Sequence, residues 1–199
     1  MAIVERDIDT IAAALEREGW CVVGDFFKPD ATAALAHECE AFAHAGVLVP
    51  AATGRGNQRA FSNLRGDSTR WFESHSLTPP QTLYWSRMEV LRAMLNRRLL
   101  LGLESLEAHY SLYAPGTGYA RHRDRFRDND ARVLSSVVYL NAGWRPRNGG
   151  ALRLHLPDGP RDIMPTGGSL ALFLSAEIEH EVLPAMRERM SIAGWFRRR

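Results

Sequence analysis

Apolar residues in the first hundred positions recur at intervals of three and four, which is the period of an amphipathic helix. This pattern predicts a helix around residues 8–15, a second helix that starts at Pro29, and a third over residues 80–98. A short β-prone run, residues 20–23, lies between the first two helices. Residues 47–67 lose the pattern and are rich in Gly, Asn, Ser and Arg, which predicts a long loop. Four apolar residues are expected on one face of the third helix: Leu83, Met88, Leu91 and Leu95.

After Leu106 the pattern changes to short β-rich segments separated by turns that contain Gly, Pro and Asn. Short strands behind a helical layer predict an α+β fold with a mainly β core, a jelly roll buttressed by N-terminal helices. We expect one domain over residues 1–199, with the helical layer at about 1–105 and the jelly-roll core at about 106–199. The predicted strands are 107–113, 119–123, 133–140, 151–156, 161–164, 169–174, 180–183 and 190–196.

The overall charge excludes little by itself, because 25 basic and 23 acidic residues nearly cancel. It gives no reason to expect nucleic acid or an anionic membrane as a partner. Two cysteines, Cys21 and Cys39, do not form the dense disulfide framework of a small secreted domain, and we expect buried free thiols. A signal-peptide pattern and an apolar run of membrane-spanning length are both lacking, so a cytoplasmic location is expected. Nothing in the sequence indicates whether the chain self-associates.

Three residues have the spacing and chemistry of a metal site. His122 and Asp124 lie two apart on a predicted strand, so both side chains point to one face and can reach the same ion. His180 begins a later strand and is the third candidate ligand. Two imidazoles and one carboxylate leave coordination positions open, which suits Fe(II) enzymes, although ligand type alone also allows hydrolytic zinc. The other histidines are interpreted as structural or surface residues: His37, His44, His75, His109 and His155.

Arg189 interrupts the apolar pattern of the last predicted strand. A dicarboxylate that chelates iron at one end needs a cation at the other, and a guanidinium offers a bidentate fork for a carboxylate. Arg187 is the rival, but it lies in the predicted turn and is expected to face water. Tyr113 and Tyr139 have hydroxyls that could donate to the same carboxylate. From the sequence pattern alone, however, an ordinary aromatic residue on a β face is the favoured interpretation of each.

The segment from Tyr113 to Asp124, YAPGTGYARHRD, resembles the hypoxia-sensing prolyl hydroxylases and their bacterial relatives. Shorter motifs extend the resemblance over nearly the whole chain. They are GWCVVGDFF from Gly19 to Phe27, LRGD from Leu64 to Asp67, Trp71, Tyr139-Leu140-Asn141, Trp144, Gly149-Gly150, His180-Glu181-Val182, Arg189 and Trp195.

The resemblance implies a double-stranded β-helix and a dioxygenase of the prolyl 4-hydroxylase type. Such an enzyme depends on Fe(II) and 2-oxoglutarate and takes dioxygen as its second co-substrate. The implied iron ligands are His122, Asp124 and His180. The residues implied to bind 2-oxoglutarate are Arg189, Tyr113 and Tyr139.

The resemblance also implies a protein substrate that presents a prolyl residue in an exposed loop. Among bacterial relatives it points to a translation factor of the elongation factor Tu type. Arg132 and Trp195 are implied as substrate contacts, while Arg65 and Asp67 are implied to shape a mobile loop that closes over the substrate. Ala193 stands where the animal enzymes carry a hydroxyl residue near the co-substrate, so one hydrogen bond is expected to be missing or replaced.

Alternative functions stay open at this point. A nucleic-acid demethylase of the same superfamily would carry a second arginine where this chain has Trp195, which makes nucleic acid the less favoured substrate. A small-molecule hydroxylase is a further possibility, as is a non-catalytic metal-binding interaction module. Such a module has no evident use for a carboxylate anchor like Arg189.

Overall fold

The structure, a computed structural model, describes residues 5–51, 64–124 and 131–199. Within them three helices precede most of the strands, and each lies where the apolar spacing predicted it. The second helix begins at Pro29, whose fixed φ suits the first helical turn. The helices are α1 (Glu5–Glu18), α2 (Pro29–His44) and α3 (Pro79–Leu99).

The prediction for the buried face of α3 was wrong at one position. Leu83 is 49% exposed, and the neighbouring Tyr84 is fully buried instead. Tyr84, Met88, Leu91 and Leu95 follow each other at intervals of four and three, which keeps them on one helical face, whereas Leu83 precedes Met88 by five. Tyr84, and not Leu83, is therefore the first residue of the buried face.

Eleven strands in the described residues form two antiparallel sheets. The seven-stranded sheet has the order β1-β9-β6-β11-β4-β3-β2, and the four-stranded sheet has the order β5-β10-β7-β8. The strands of the first sheet are β1 (Trp20–Val23), β2 (Val49–Pro50), β3 (Asp67–Trp71), β4 (Ser105–Tyr113), β6 (Arg132–Tyr139), β9 (Leu170–Leu174) and β11 (Arg189–Arg197). Those of the second are β5 (Tyr119–His122), β7 (Leu152–Leu156), β8 (Gly159–Ile163) and β10 (Glu179–Val182).

All eight strands predicted after Leu106 are confirmed, with ends that differ by one or two residues, and so is the double-stranded β-helix. The expectation that residues 47–67 form only loop was wrong at both ends, where β2 lies and β3 begins. Strand β3 is polar in sequence and forms because β4 offers it a pairing edge, with Asp67 opposite Tyr113. Residues 52–63, the middle of the expected loop, lie outside the described residues.

The alternation of side chains along β11 separates two layers. Met190, Ile192 and Phe196 belong to the apolar cluster that joins the seven-stranded sheet to the three helices. The intervening side chains of β11 point to the opposite face. On that side a second apolar cluster joins the two sheets, and it includes Tyr139 and Phe173. The space between the sheets is therefore where polar side chains of β11 meet those of the smaller sheet.

Cys21 and Cys39 are buried and free, as expected, and burial raises the pKa of each thiol to about 12. In the described part of the chain, no helix combines the length and the apolar character needed to cross a membrane.

Candidate active site

A cavity of about 780 Å³ opens between the two sheets. Arg189 and Trp195 both line it from strand β11. At the usual rise per residue of a strand, their Cα atoms are roughly 20 Å apart, so they lie towards different ends of the cavity. Eight of the ten predicted site residues line the cavity, and Asp67 and Tyr139 do not. The eight are Arg65, Tyr113, His122, Asp124, Arg132, His180, Arg189 and Trp195.

His122, Asp124 and His180 meet in this cavity. Strands β5 and β10 pair so that His180 lies directly opposite His122. Asp124 lies two residues after His122 in the chain. The Asp124 carboxylate has one oxygen 3.5 Å from Nε2 of His122 and the other 3.5 Å from Nε2 of His180. One ligand atom from each residue lies within 4.8 Å of the others, and no second group of His, Cys, Asp or Glu side chains in the described residues does the same.

The backbone fixes which imidazole nitrogen faces the centre of this cluster. Nδ1 of His122 lies 2.8 Å from the carbonyl oxygen of Ala120, and Nδ1 of His180 lies 3.3 Å from that of Ile178. Because a carbonyl oxygen only accepts, each Nδ1 carries the hydrogen of the neutral ring and each Nε2 presents a lone pair. Two lone pairs and a carboxylate around one point are the donor set of a divalent cation, so these residues fit iron(II).

The protonation states suit metal binding. Burial by itself would raise the pKa of Asp124, but His180, His122 and a hydrogen bond from Ser135 hold it well below its usual range. Burial lowers the pKa of His180, despite the opposing effect of Asp124. At neutral pH the cluster is therefore an ionised carboxylate between two imidazoles, one of which is kept neutral by burial.

Arg189 is one of the largest fully buried side chains, with 1% of its surface exposed. Its Nε donates to the carbonyl oxygen of Gly150 at 2.9 Å, and Nη1 donates to the Ser191 hydroxyl at 3.3 Å. The guanidinium carbon lies 5.2 Å from the ring centre of Tyr113 and 5.3 Å from that of Tyr139. No carboxylate of the described residues forms an ion pair with this guanidinium.

The Tyr139 hydroxyl is also buried and has no hydrogen-bond partner. Burial raises its pKa to about 12, so it stays protonated and can donate. A buried cation and a buried donor without an acceptor are costly unless an anion satisfies them. Arg189 and Tyr139 therefore form a corner that fits the carboxylate of a dicarboxylic acid. Arg187, the rival candidate for this role, is exposed, as expected.

Arg132 and Trp195 lie together on the cavity wall. The Arg132 guanidinium carbon is 3.7 Å from the ring centre of Trp195, and its Nε donates to Glu107 at 2.7 Å. Trp71, which is 44% exposed, contacts the rings of His109 and Trp195. This part of the cavity is an aromatic shelf beside a fixed cation.

Arg65 lines the cavity, but Asp67 does not. Asp67 is 3% exposed and accepts two hydrogen bonds from Arg65, at 2.7 and 3.1 Å, and one from Ser111 at 2.9 Å. Nη2 of Arg65 also lies 3.3 Å from Nε2 of His109. Asp67 thus fixes Arg65 rather than reaching the cavity itself, and the loop that both were expected to shape includes residues 52–63, outside the described residues.

Sequence reasoning missed several polar neighbours of the site. Ser135 contacts Asp124, Ser175 contacts Ser135, and Ser191 contacts Arg189. A polar residue inside an apolar strand was the available signal for Ser135 and Ser191. Ser191 lies on the same face as Ala193, where a hydroxyl residue was noted as absent, and it supplies a hydroxyl beside Arg189. Ser175 follows a strand and carried no such signal.

Comparisons with known proteins agree with this geometry. Residues 108–197 match the family described as the 2OG-Fe(II) oxygenase superfamily. The chain is 44% identical to a crystal structure of a Pseudomonas putida prolyl-4-hydroxylase, with a TM-score of 0.87 over 96% of this chain and 99% of that one. The chain belongs to the 2OG-Fe(II) oxygenase superfamily. This superfamily uses Fe(II), 2-oxoglutarate and dioxygen, and the described residues of this oxygenase include a His-Asp-His cluster that fits the metal.

Animal prolyl hydroxylases are also similar to this oxygenase. A Trichoplax adhaerens prolyl hydroxylase, in complex with a peptide from the hypoxia-inducible factor oxygen degradation domain, is 25% identical with a TM-score of 0.87, covering 97% of this chain and 90% of that one. Egl nine homolog 1 of Rattus norvegicus is 28% identical over 95% of this chain. The chain spans 58% of the length of that relative.

Proposed function

We propose that this oxygenase hydroxylates a prolyl residue of a protein substrate, with Fe(II), 2-oxoglutarate and dioxygen, and that residues 1–199 act as one oxygenase domain. One observation carries the proposal. In the cavity that holds the His122, Asp124 and His180 cluster, the buried guanidinium of Arg189 has no carboxylate partner among the described residues. A structural arginine would be expected to pair with a carboxylate of its own chain.

In this proposal each group has a separate task. His122, Asp124 and His180 hold iron, which when bound supplies the oxidising chemistry that side chains lack. Arg189 binds the far carboxylate of 2-oxoglutarate through its fork, and the Tyr139 hydroxyl donates to the same group. The surrounding walls bury both residues, which strengthens these interactions and keeps water away from the reacting centre.

The aromatic shelf supports a prolyl residue as the target. Trp71 is 44% exposed and offers flat apolar surface to a saturated ring, and its own ring packs beside that of the buried Trp195. Arg132, held by Glu107, is positioned to donate to peptide carbonyls. Similarity to the Pseudomonas putida prolyl-4-hydroxylase over nearly the whole chain supports the same substrate class. Within this proposal, the specific candidate is a translation factor of the elongation factor Tu type with an exposed prolyl loop, and the location is cytoplasmic.

The rival functions fit the cavity less well. A nucleic-acid demethylase of this superfamily would carry a second arginine six residues beyond Arg189, where this chain has Trp195. A non-catalytic module leaves the unpaired Arg189 without a purpose. A small-molecule hydroxylase would use the same metal and co-substrate residues and is separated from the proposal only by the substrate test.

The test is incubation of the purified protein with Fe(II), 2-oxoglutarate, dioxygen and a panel of proline-containing peptides. We expect succinate in proportion to a peptide product heavier by one oxygen atom, located on proline by tandem mass spectrometry. The Trp71→Ala variant should raise the KM for peptide and leave the Kd of 2-oxoglutarate unchanged. Turnover of methylated nucleic acid or of small molecules only, without any prolyl product, would contradict the proposal.

A further inference from the structure

Asp124 is tied to the opposite sheet by a hydrogen bond. It follows β5 of the four-stranded sheet, while Ser135 lies on β6 of the seven-stranded sheet. The Ser135 hydroxyl donates to Oδ2 of Asp124 at 2.7 Å. The same carboxylate oxygen lies 3.5 Å from Nε2 of His180. The orientation of the carboxylate is therefore set from outside its own sheet.

A second hydroxyl continues this contact. Oγ of Ser175 lies 2.8 Å from Oγ of Ser135. A carboxylate at neutral pH only accepts hydrogen bonds, so the single hydroxyl hydrogen of Ser135 is donated to Asp124. The hydrogen between the two serines must then come from Ser175. The result is one directed chain, Ser175 to Ser135 to Asp124, in which each bond polarises the next.

The fold holds both serines rigidly. Ser135 is 1% exposed and Ser175 is fully buried. Ser135 lies opposite Trp195 on one side and opposite Phe173 on the other, between two aromatic residues of adjacent strands. The backbone N–H of Ser175 donates to the carbonyl oxygen of Val133 at 3.0 Å, which fixes it beside β6. A hydroxyl buried between aromatic residues is costly unless it is hydrogen-bonded, and here its partner is the carboxylate.

We propose that Ser135 and Ser175 are positioning residues of the metal centre, which hold the Asp124 carboxylate facing the two imidazoles so that the three ligands are in place before the ion arrives. This inference rests on the proposed metal site and is independent of the organic substrate. Removing the Ser135 hydroxyl leaves Asp124 free to rotate, and the metal must then order its own ligand. Substitution of a residue that hydrogen-bonds to a metal ligand typically weakens metal affinity by roughly 10- to 100-fold.

The chain provides a matched control. Ser136 is the next residue on β6 and is equally buried at 1% exposure. Its side chain points to the opposite face of the sheet, where its Oγ approaches Gly194 beside the Tyr84 hydroxyl. Ser136→Ala therefore removes a buried hydroxyl from the same strand without affecting Asp124. Ser135→Thr keeps the hydroxyl and changes only the packing.

The experiment is an anaerobic titration of the metal-free protein with Co(II) in the presence of 2-oxoglutarate, followed by visible absorbance, for the wild type and four variants. We expect Ser135→Ala to raise the Kd for Co(II) by about 10-fold or more and Ser175→Ala by a smaller factor, roughly threefold. Ser136→Ala and Ser135→Thr should stay within about twofold of the wild type. At saturating metal the Ser135→Ala variant should regain most of its turnover.

The possible outcomes separate this inference from the proposed function. If the wild type binds no Co(II), the proposed metal site itself fails. If the wild type binds and Ser135→Ala binds equally well, the serines do not position Asp124. Equal weakening in Ser135→Ala and Ser135→Thr would assign the effect to packing and overturn the inference. Should Ser135→Ala fail to fold, Ser175→Ala decides the question by the same titration, and a Kd for Co(II) equal to that of Ser136→Ala would overturn the inference.

Discussion

The ring of Tyr119 stacks on the imidazole of His122, with ring centres 3.7 Å apart and planes inclined by 19°. The guanidinium carbon of Arg65 lies 5.0 Å from the centre of the same tyrosine ring. Tyr119 therefore supports His122, a candidate metal ligand on the cavity wall, and the Arg65 side chain in turn packs on Tyr119. Loss of the ring should loosen the imidazole.

We expect Tyr119→Ala to raise the Fe(II) concentration needed for half-maximal turnover by roughly 10-fold. Tyr119→Phe preserves the stacked ring and should behave like the wild type. The measurement is succinate formation against Fe(II) concentration, at saturating 2-oxoglutarate. Equal metal requirements in Tyr119→Ala and the wild type would show that the stack does not support His122.

Arg189 should determine the affinity for 2-oxoglutarate. Removing one partner of a buried charge pair costs at least about 2 kcal/mol, which corresponds to a weakening of roughly 30-fold. Arg189→Met, which preserves apolar volume, should raise the Kd of 2-oxoglutarate by at least that factor in a calorimetric titration. The exposed Arg187 is the matched control, and Arg187→Ala should change the Kd by less than about twofold. An unchanged Kd in Arg189→Met would show that Arg189 does not bind the carboxylate of 2-oxoglutarate.

Metal exchange should separate an oxygenase from a zinc hydrolase. Treatment with a chelator should abolish succinate formation, and Fe(II) should restore it, because oxygen chemistry needs a redox-active ion. Zn(II) should occupy His122, Asp124 and His180 without restoring turnover. His180→Ala should lower turnover by more than roughly 100-fold, since it removes a ligand itself. Activity restored by Zn(II) would refute this assignment.

His109 should make the stability of the fold sensitive to acid. Burial, and then the charge of Arg65, lower its pKa from 6.5 to about 4, against the opposing effect of Asp67. Arg132 adds to the lowering. Above pH 6.5 the ring is neutral in both the folded and the unfolded chain and contributes nothing. As the pH falls from 6.5 to about 4, only the unfolded chain takes up the proton, so the free energy of unfolding decreases.

The expected loss is roughly 3 kcal/mol when the change is complete. His109→Gln, which retains an acceptor for Arg65, should remove most of that pH dependence. Urea unfolding at a series of pH values between 7.5 and 4.5 measures the difference, with the wild type as reference. Parallel curves for the two proteins would show that His109 does not titrate as the structure indicates.

The sequence by itself determined most of the elements and the residue types of the candidate site. The alternation of apolar residues and the glycine turns located eight strands, because side-chain periodicity and turn chemistry are local properties. The spacing of His122 and Asp124 placed two ligand types on one face. Arg189 stood out because a charged side chain is unusual in an otherwise apolar strand. The family motifs then joined these residues into one expected function.

The tertiary structure decided which residues meet. His180 reaches His122 only through the pairing of β10 with β5, and Ser135 reaches Asp124 only because the two sheets face each other. Strand β3 forms against an available edge and not from its own polar sequence. Pairing register and the packing of sheets depend on residues distant in the chain, so local patterns carry no information about them.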